Sequence, residues 1–149
     1  MSGLPNIHGT ALVLGDRGLL VTGPSGFGKT TLALALVGHF CTHGRFARLV
    51  SDDQILVEAR GGRLLARAPA TIAGLVEVPG IGPRPIPAEQ VVVIDLVLRL
   101  VAEGDAARIQ EDAAETIAGC ALPRFDLIRR NVPAALPLVA ALLGLPPFA

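Results

Sequence analysis

Residues 18–37 read GLLVTGPSGFGKTTLALALV, and this stretch decides the fold. Residues 18–22 are apolar and are expected to form a β-strand, whereas residues 31–37 are strong helix formers that should continue a helix for about three turns. Between them, residues 23–30 fit the pattern of glycine, four residues, glycine, lysine and threonine. A strand, such a loop and a helix in this order are typical of proteins that bind the phosphates of a nucleotide.

This loop holds the one lysine of the chain, Lys29, whereas the other twelve permanently basic side chains are arginine. A compact ammonium and a planar guanidinium are not interchangeable where a phosphate is bound inside a tight backbone loop. We therefore expect Lys29 to contact the β- and γ-phosphates of ATP, and the hydroxyl of Thr30 to ligate Mg²⁺. The predicted nucleotide-binding residues are Gly23, Pro24, Ser25, Gly26, Phe27, Gly28, Lys29 and Thr30.

Composition narrows the class of protein. The length of 149 residues suits one domain spanning residues 1–149, and the net charge of zero predicts no nucleic-acid partner. No apolar run approaches the roughly 20 residues that cross a membrane, so neither a membrane span nor a signal peptide is expected. Cys41 and Cys120 lack metal-ligand or redox spacing and are expected to be small core residues. A cytoplasmic α/β domain is predicted.

The other segments predict a mixed sheet rather than a purely parallel one. Residues 7–14 and 19–22 are predicted strands joined by a tight turn, so the strand that enters the loop is half of a hairpin. A continuous apolar run at 90–101 is predicted as a buried strand. The remaining predictions are a strand at 45–50, a hairpin of 55–58 with 64–68, a polar loop or short helix at 102–115, and a helix at 133–143 ending at Gly144.

Asp52 and Asp53 follow the apolar strand at 45–50, which places both acids at a carboxyl end beside the phosphate-binding loop. One acid at such a position commonly supports Mg²⁺, and a second can take the proton of an incoming hydroxyl as a general base. Two adjacent carboxylates titrate together, so spacing alone assigns neither role.

Glu77 and His8 have both structural and functional interpretations. Glu77 has apolar neighbours and precedes the proline-rich residues 79–87, which are predicted to form a mobile or functional loop. It is either a buried acid that needs a metal or cation, or an ordinary exposed strand residue. His8 precedes a glycine in the first predicted strand, and on its own a structural histidine is favoured.

Several segments occur in a particular order over about residues 6–143. Through them the chain resembles the catalytic domain of HPr kinase/phosphorylase, a bifunctional bacterial enzyme that acts on a serine of the phosphocarrier protein HPr. The phosphate loop is common to many families, whereas the ordered combination is much more specific. The segments are His8-Gly9, the hairpin into residues 23–30, LVSDD at 49–53, EVPGIG at 77–82, LPR at 122–124 and RRN at 129–131.

The resemblance implies a P-loop fold akin to phosphoenolpyruvate carboxykinase, in a short form without an N-terminal domain. Asp53 would accept the serine proton during transfer from ATP and return it in the reverse, phosphorolytic direction. His8, Lys29 and Arg108 would complete the catalytic set, while Thr30 and Glu77 would hold Mg²⁺ beside Asp52. HPr would be the protein partner, and the family's usual assembly is a homo-oligomer, a hexamer.

One position departs from the family pattern, because Pro79 stands where arginine is expected. Arg84 in the same loop is a candidate replacement for the missing charge at the phosphates. Arg129 and Arg130 are further candidates, since residues 128–133 correspond to the part that the family associates with dephosphorylation. Two alternatives stay open: a small-molecule kinase with the same loop, and a nucleotide-sensing module that binds ATP and a partner without catalysis.

Overall fold

The computed structural model describes residues 4–106, 110 and 112–148. Within these ranges the chain forms eleven strands and two helices. Nine strands build one mixed sheet, and β7 and β8 form a separate hairpin. The elements are β1 (Asn6–His8), β2 (Thr10–Leu14), β3 (Arg17–Thr22), α1 (Lys29–Thr42), β4 (Ala47–Ser51), β5 (Gln54–Arg60), β6 (Arg63–Arg67), β7 (Leu75–Val78), β8 (Gly82–Pro85), β9 (Val91–Val101), β10 (Ala113–Ile117), β11 (Cys120–Ile128) and α2 (Val132–Leu143).

The long strand β9 organises the sheet. One edge of β9 pairs with β3 in parallel. On the other edge, residues 91–94 pair with β6 antiparallel and residues 97–101 pair with β11 in parallel. Strand β2 lies between β3 and β4 and is antiparallel to both. Strands β3, β4, β9 and β11 therefore run in one direction, and their carboxyl ends meet at one edge of the sheet. The prediction of an α/β fold with a mixed sheet is confirmed.

The sheet is apolar on both faces, which explains the continuous apolar runs of its strands. Successive residues of β3 alternate between two cores: Leu19 and Val21 face one, and Leu20 faces the other. The first core contains α1 and α2, with Phe40 fully buried in it. The second contains side chains of β5, β6 and β11. The sheet thus fixes the end of β3, where the loop begins, between two packed layers.

Both helices begin and end for local reasons. Helix α1 starts at Lys29 directly after the glycine-rich loop and extends over 14 residues, about one turn longer than predicted. The side chain of Asn131 caps α2 by accepting a hydrogen bond from the N–H of Ala134, and Gly144 ends it in a left-handed conformation. The predicted closing helix and its glycine stop are confirmed. Neither helix is long and apolar enough to cross a membrane, within the ranges described.

The predicted first strand, residues 7–14, is wrong in one respect, because it divides at Gly9 into β1 and β2. Strand β1 pairs with β5, whereas β2 pairs with β3 and β4. A Cβ atom at Gly9 would lie 2.9 Å from the carbonyl oxygen of Val21, so only glycine allows this close approach. The hairpin of β2 and β3 is confirmed, with Leu14 paired to Arg17.

Three further expectations need correction. The predicted polar segment at 102–115 ends in a strand, because β10 begins at Ala113 and forms a hairpin with the unpredicted strand β11, with Ile117 paired to Cys120. Residues 82–85 of the predicted proline-rich loop form β8, an edge strand in which prolines are tolerated. Cys120 is buried as expected, but Cys41 is exposed on α1. Strand β9 is confirmed but only partly buried.

Candidate active site

The predicted phosphate-binding loop, residues 23–30, lies at the junction of β3 and α1. Its glycines at 23, 26 and 28 have φ angles of 143°, 85° and 90°, which side-chain-bearing residues rarely adopt. The N–H of Leu32 donates to the carbonyl of Gly28 over 2.9 Å, which begins the hydrogen-bond ladder of α1. The preceding N–H groups of the first turn have no intrahelical acceptor and point toward the loop, where the helix dipole also favours an anion.

The side chain of Lys29 lies inside this loop. Lys29 is only 7% exposed. Its Nζ donates to the carbonyl oxygen of Gly23 over 2.9 Å and lies 3.4 Å from that of Pro24. The ammonium is therefore held at the loop by neutral acceptors, which an anionic phosphate oxygen can replace with a stronger, charge-assisted hydrogen bond.

Asp52 is the inward-facing acid of the pair. It is 6% exposed, and its Oδ1 accepts from the hydroxyls of Thr30 over 2.7 Å and Thr10 over 3.2 Å. Its Oδ2 accepts from the backbone N–H of Glu77 over 3.1 Å. One carboxylate thus connects α1, β2 and β7, and it fixes the hydroxyl of Thr30 at the loop.

Asp53 is the exposed acid of the pair. Its side chain is 65% exposed, and its Oδ1 lies 2.5 Å from Nε2 of His8. Its φ of 70° is left-handed, a conformation that aspartate tolerates better than most residues. The turn is held by hydrogen bonds from the N–H of Gly9 to the carbonyl of Asp53 and from the N–H of Gln54 to that of Asp52. Backbone geometry therefore gives the two adjacent acids different surroundings, which spacing alone could not show.

A cavity of about 490 Å³ brings four of the predicted site residues together. Its lining includes Thr30, Asp52, Asp53 and Glu77. Glu77 is exposed on β7, whose alternation buries Val76 instead, so the interpretation of Glu77 as a buried acid is wrong. The exposed carboxylate of Glu77 contributes to the wall of this acidic cavity, which we call the acid-lined cavity.

The oxygen atoms of the acid-lined cavity suit Mg²⁺. Among the residues described, no group of three or more His, Cys, Asp or Glu side chains is arranged to hold a metal ion by itself. Mg²⁺ is commonly held by one or two carboxylates together with phosphate oxygens and waters. The hydroxyl of Thr30 donates a hydrogen bond to Asp52, so its oxygen lone pairs can ligate a cation. The residues therefore fit an ion that arrives with a nucleotide.

Arg129 and Arg130, two candidate phosphate-binding residues, both contact the loop at residues 23–30. The guanidinium carbon of Arg129 lies 4.9 Å from the ring centroid of Phe27, and Arg130 donates to the carbonyl oxygen of Gly26. Arg129 also lies 3.5 Å from the carboxylate of Glu103. A hydrogen bond from its own backbone N–H and the contact with Arg129 hold the pKa of Glu103 below its ordinary value.

Strand β11 places these two arginines. Its residue Asp126 pairs with Arg99 of β9 and accepts hydrogen bonds from Nε and Nη2 of that arginine over 3.0 and 2.8 Å. This two-point contact raises the pKa of Arg99. The end of β11 and the segment that follows are thus fixed against β9 beside the loop.

Arg84 is not brought into the acid-lined cavity. On β8 it pairs with Val76, so it lies on the opposite face of the hairpin from Glu77. Its Nη1 donates to the carbonyl oxygens of Pro83 and Ile81 over 2.8 and 3.3 Å. Arg108 lies outside the described residues.

Pro79 has a clear structural role. It begins the turn between β7 and β8, in which the N–H of Ile81 donates to the carbonyl of Val78 over 3.1 Å. Gly80 follows with a φ of 90°, and proline followed by glycine with positive φ is the signature of a type II turn. Pro79 is therefore well suited to this turn.

Thr10 is a site residue that the sequence did not suggest. It is fully buried at the start of β2, and its hydroxyl donates to Asp52. The two residues lie 42 positions apart, and a threonine in an apolar strand is common. No local signal marks Thr10 as the support of an acid.

Comparisons with known proteins agree with this geometry. The family model described as the HPr serine kinase C-terminal domain matches residues 1–87, more than half of the chain. The solved structure of the Hpr(Ser) kinase/phosphatase from Coxiella burnetii superposes with a TM-score of 0.76, covers 93% of this chain and 97% of that one, and is 24% identical. That likeness shows the fold.

Curated relatives match about half of the chain. HPr kinase/phosphorylases from Clostridium beijerinckii and Mycoplasmopsis pulmonis are 37% and 38% identical over 78 residues. The match covers 51% of this chain and 23% of each relative, so the chain spans about a quarter of their length. The fold and the site define an α/β protein in which the predicted phosphate-binding loop lies beside paired acids. The chain belongs to the HPr serine kinase C-terminal domain family.

Proposed function

We propose that this protein is an ATP-dependent serine kinase that acts on an HPr-type phosphocarrier protein, and that it also removes the phosphoserine with inorganic phosphate. The observation that carries the proposal is the exposed carboxylate of Asp53, in one site with Thr30 and beside the loop that holds Lys29. Membership of the family and the names of the relatives support the choice of acceptor.

In the forward direction, Asp53 accepts the proton of the serine hydroxyl as the oxygen attacks the γ-phosphorus in line. His8 contacts one oxygen of Asp53 and orients the carboxylate. Lys29 exchanges its loop carbonyls for phosphate oxygens, and the free N–H groups at the start of α1 stabilise the charge there.

Mg²⁺, when bound with the nucleotide, neutralises charge on the phosphate oxygens. Thr30 and Glu77 would hold it, and Asp52 fixes Thr30 through the hydrogen bond between them. Because both oxygens of Asp52 already accept hydrogen bonds, this acid supports the metal site mainly through its neighbours.

In the reverse direction, an oxygen of inorganic phosphate attacks the phosphorus of phosphoserine. The phosphorus–oxygen bond to serine breaks as the new phosphorus–oxygen bond to phosphate forms, which releases pyrophosphate. Asp53, which is protonated at the start of this direction, donates its proton to the serine oxygen. Arg129 and Arg130, which already contact the loop, are placed to balance the added negative charge. Arg108 is a further proposed catalytic residue, whereas Arg84 would first have to leave the carbonyls of its own hairpin.

The proposal also covers the fold family, the domain organisation, the cellular location and the partners of the protein. The fold is that of a P-loop nucleotide-binding protein akin to phosphoenolpyruvate carboxykinase, supported by the strand β3, the loop and α1 within a mixed sheet. Residues 1–149 act as one domain, in the cytoplasm and as a homo-oligomer. A net charge of zero supports a protein partner rather than a nucleic acid or a membrane surface.

The test is intact-mass and peptide mass spectrometry of purified HPr after incubation with the protein, ATP and Mg²⁺, followed by excess phosphate. The proposal predicts one phosphoserine on HPr that disappears in the second step. If HPr stays unmodified while a metabolite panel becomes phosphorylated, the protein is a small-molecule kinase. If ATP and HPr bind but no phosphate is transferred to either, it is a nucleotide-sensing module.

A further inference from the structure

Two of the three histidines of the chain lie together at the carboxyl end of α1. His39 belongs to the last turn of the helix and His43 is its C-cap residue, so the two are four positions apart and share one face of the helix. Their ring centroids are 4.4 Å apart, and the ring planes are inclined by 38°. His39 is half-buried and His43 is exposed. We call these two residues the histidine pair.

We propose that the histidine pair binds a divalent transition-metal ion such as Zn²⁺, with one ring nitrogen from each histidine. Imidazole nitrogens bind Zn²⁺ at about 2.0–2.1 Å, so two rings that share one ion have their nitrogens roughly 3 Å apart and their centroids about 4–5 Å apart. The observed centroid distance of 4.4 Å fits this range. Imidazole suits Zn²⁺, Ni²⁺ and Cu²⁺, whereas Mg²⁺ prefers carboxylate and water oxygens.

A hydrogen bond fixes the tautomer of one ring. Nδ1 of His43 lies 2.8 Å from the carbonyl oxygen of His39. Because a carbonyl oxygen only accepts, Nδ1 of the neutral ring carries the hydrogen, and Nε2 keeps the lone pair that a metal requires. Backbone carbonyls commonly orient metal-ligating histidines in this way. The sequence therefore supplies both a ligand and the group that holds it.

The other ring is also held in place. The ring of His39 packs edge-on against that of Phe40, with centroids 4.9 Å apart and an interplanar angle of 89°. Phe40 is fully buried in the core beneath α1. A ring restrained in this manner loses less conformational entropy when it binds an ion. Both rings are thus restrained close to each other by the fold itself.

The end of α1 is a favourable place for a cation. The last carbonyl groups of a helix carry the negative end of its dipole, which attracts positive charge within the final turn. Helix α1 has 14 residues, so the histidine pair lies about 20 Å from Lys29 at the start of the helix. The ion therefore contacts no reacting group. It joins the last turn to the C-cap, where helices otherwise fray, and this role does not depend on the proposed kinase activity.

Cys41 is not a third ligand, although it lies between the two histidines in sequence. It is about 200° around the helix from His39. Its Sγ lies 3.3 Å from the carbonyl oxygen of Ala47, on the segment that leads into β4. Water therefore fills the remaining coordination positions, and the affinity should be lower than that of a structural zinc site with four protein ligands.

The test is a calorimetric titration of Zn²⁺ into the reduced protein, in a non-coordinating buffer with excess Mg²⁺ to occupy oxygen-rich sites such as the acid-lined cavity. We expect one Zn²⁺ per chain, and an affinity at least about 10-fold lower in both His39→Gln and His43→Gln. Glutamine is a good helix former, so α1 should persist in both variants. The matched controls are His8→Gln, which removes the third histidine, and Cys41→Ser, which removes the exposed thiol. Both controls should keep the affinity of the wild-type protein.

NMR of the imidazole nitrogens gives a second readout. His43 should be in the tautomer with hydrogen on Nδ1 before Zn²⁺ is added, and the ring signals of His39 and His43 should change together during the titration. Absence of Zn²⁺ binding by the wild-type protein would overturn the proposal. Unchanged affinity in His39→Gln or in His43→Gln would also overturn it, as would a 10-fold loss in either control variant.

Discussion

Replacing each acid of the Asp52-Asp53 pair by asparagine should have very different effects on stability. Asp52 accepts three hydrogen bonds at a buried position. Asparagine removes the charge from these bonds and can present an N–H₂ group to one of the donors, which should cost about 2–4 kcal/mol of the free energy of unfolding. Asp53 has one exposed contact with His8, and asparagine adopts its left-handed backbone readily, so its replacement should cost about 0–1 kcal/mol.

Thermal unfolding followed by far-UV circular dichroism measures this difference, since the chain has neither tryptophan nor tyrosine for fluorescence. For a protein of this size, the expected loss corresponds to a melting temperature about 5–15 °C lower for Asp52→Asn and nearly unchanged for Asp53→Asn. Asp52→Ala, which leaves the three donors without an acceptor, should be at least as destabilised as Asp52→Asn. Equal melting temperatures for the two asparagine variants, or a lower one for Asp53→Asn, would refute the conclusion that buried Asp52 stabilises the site while exposed Asp53 is free to act as the base.

Four further predictions follow from the site. Asp53→Asn should lower phosphoryl transfer to HPr about 10²- to 10⁴-fold while ATP binding persists. Near-normal turnover of the variant with labelled ATP would mean that another group is the base. Lys29→Arg should weaken ATP binding about as much as Lys29→Met, because the guanidinium does not fit within the loop; near-normal affinity of the arginine variant by calorimetry would contradict this. Phe27→Leu should lower the free energy of unfolding in urea by about 0.5–1 kcal/mol through loss of the contact with Arg129, and an unchanged midpoint would argue against that contact. The pKa of Glu103, measured by NMR titration, should be below its usual value and should rise in Arg129→Ala. The contact between Glu103 and Arg129 is therefore fully present above the ordinary carboxylate pKa and is lost as the pH falls through the lowered pKa. Identical titrations of Glu103 in the wild-type protein and in Arg129→Ala would exclude this contact.

Local sequence signals predicted the elements around the phosphate loop well. The strand–loop–helix order of residues 18–37 and the turn after β2 depend on propensity and on close neighbours, and both are found in the structure. The break at Gly9 was missed because it depends on the approach of Val21, a residue of the next strand but one. The hairpin of β10 and β11 was missed because β10 has no regular alternation of apolar and polar residues and β11 contains Pro123, a residue that argues against a strand interior.

For the site, the sequence identified which residues are chemically able to act but not which way they point. The different burial of Asp52 and Asp53 accompanies the left-handed backbone of Asp53 and the hydrogen bonds that Gly9 and Gln54 donate to this turn, none of which the spacing of the two acids reveals. Thr10 could not be found, since its partner is distant in sequence. The exposure of Glu77 follows from the alternation of β7, whose register became clear only with its pairing to β8.

Every proposed step requires that the loop around Lys29 binds a nucleotide. Equilibrium dialysis of labelled ATP with Mg²⁺ against the wild-type protein and Lys29→Met tests it in one measurement. We predict saturable binding of one ATP per chain to the wild-type protein and loss of that binding in the variant. Equal binding by both proteins, or no binding by the folded wild-type protein, would contradict the assignment of nucleotide binding to the loop around Lys29.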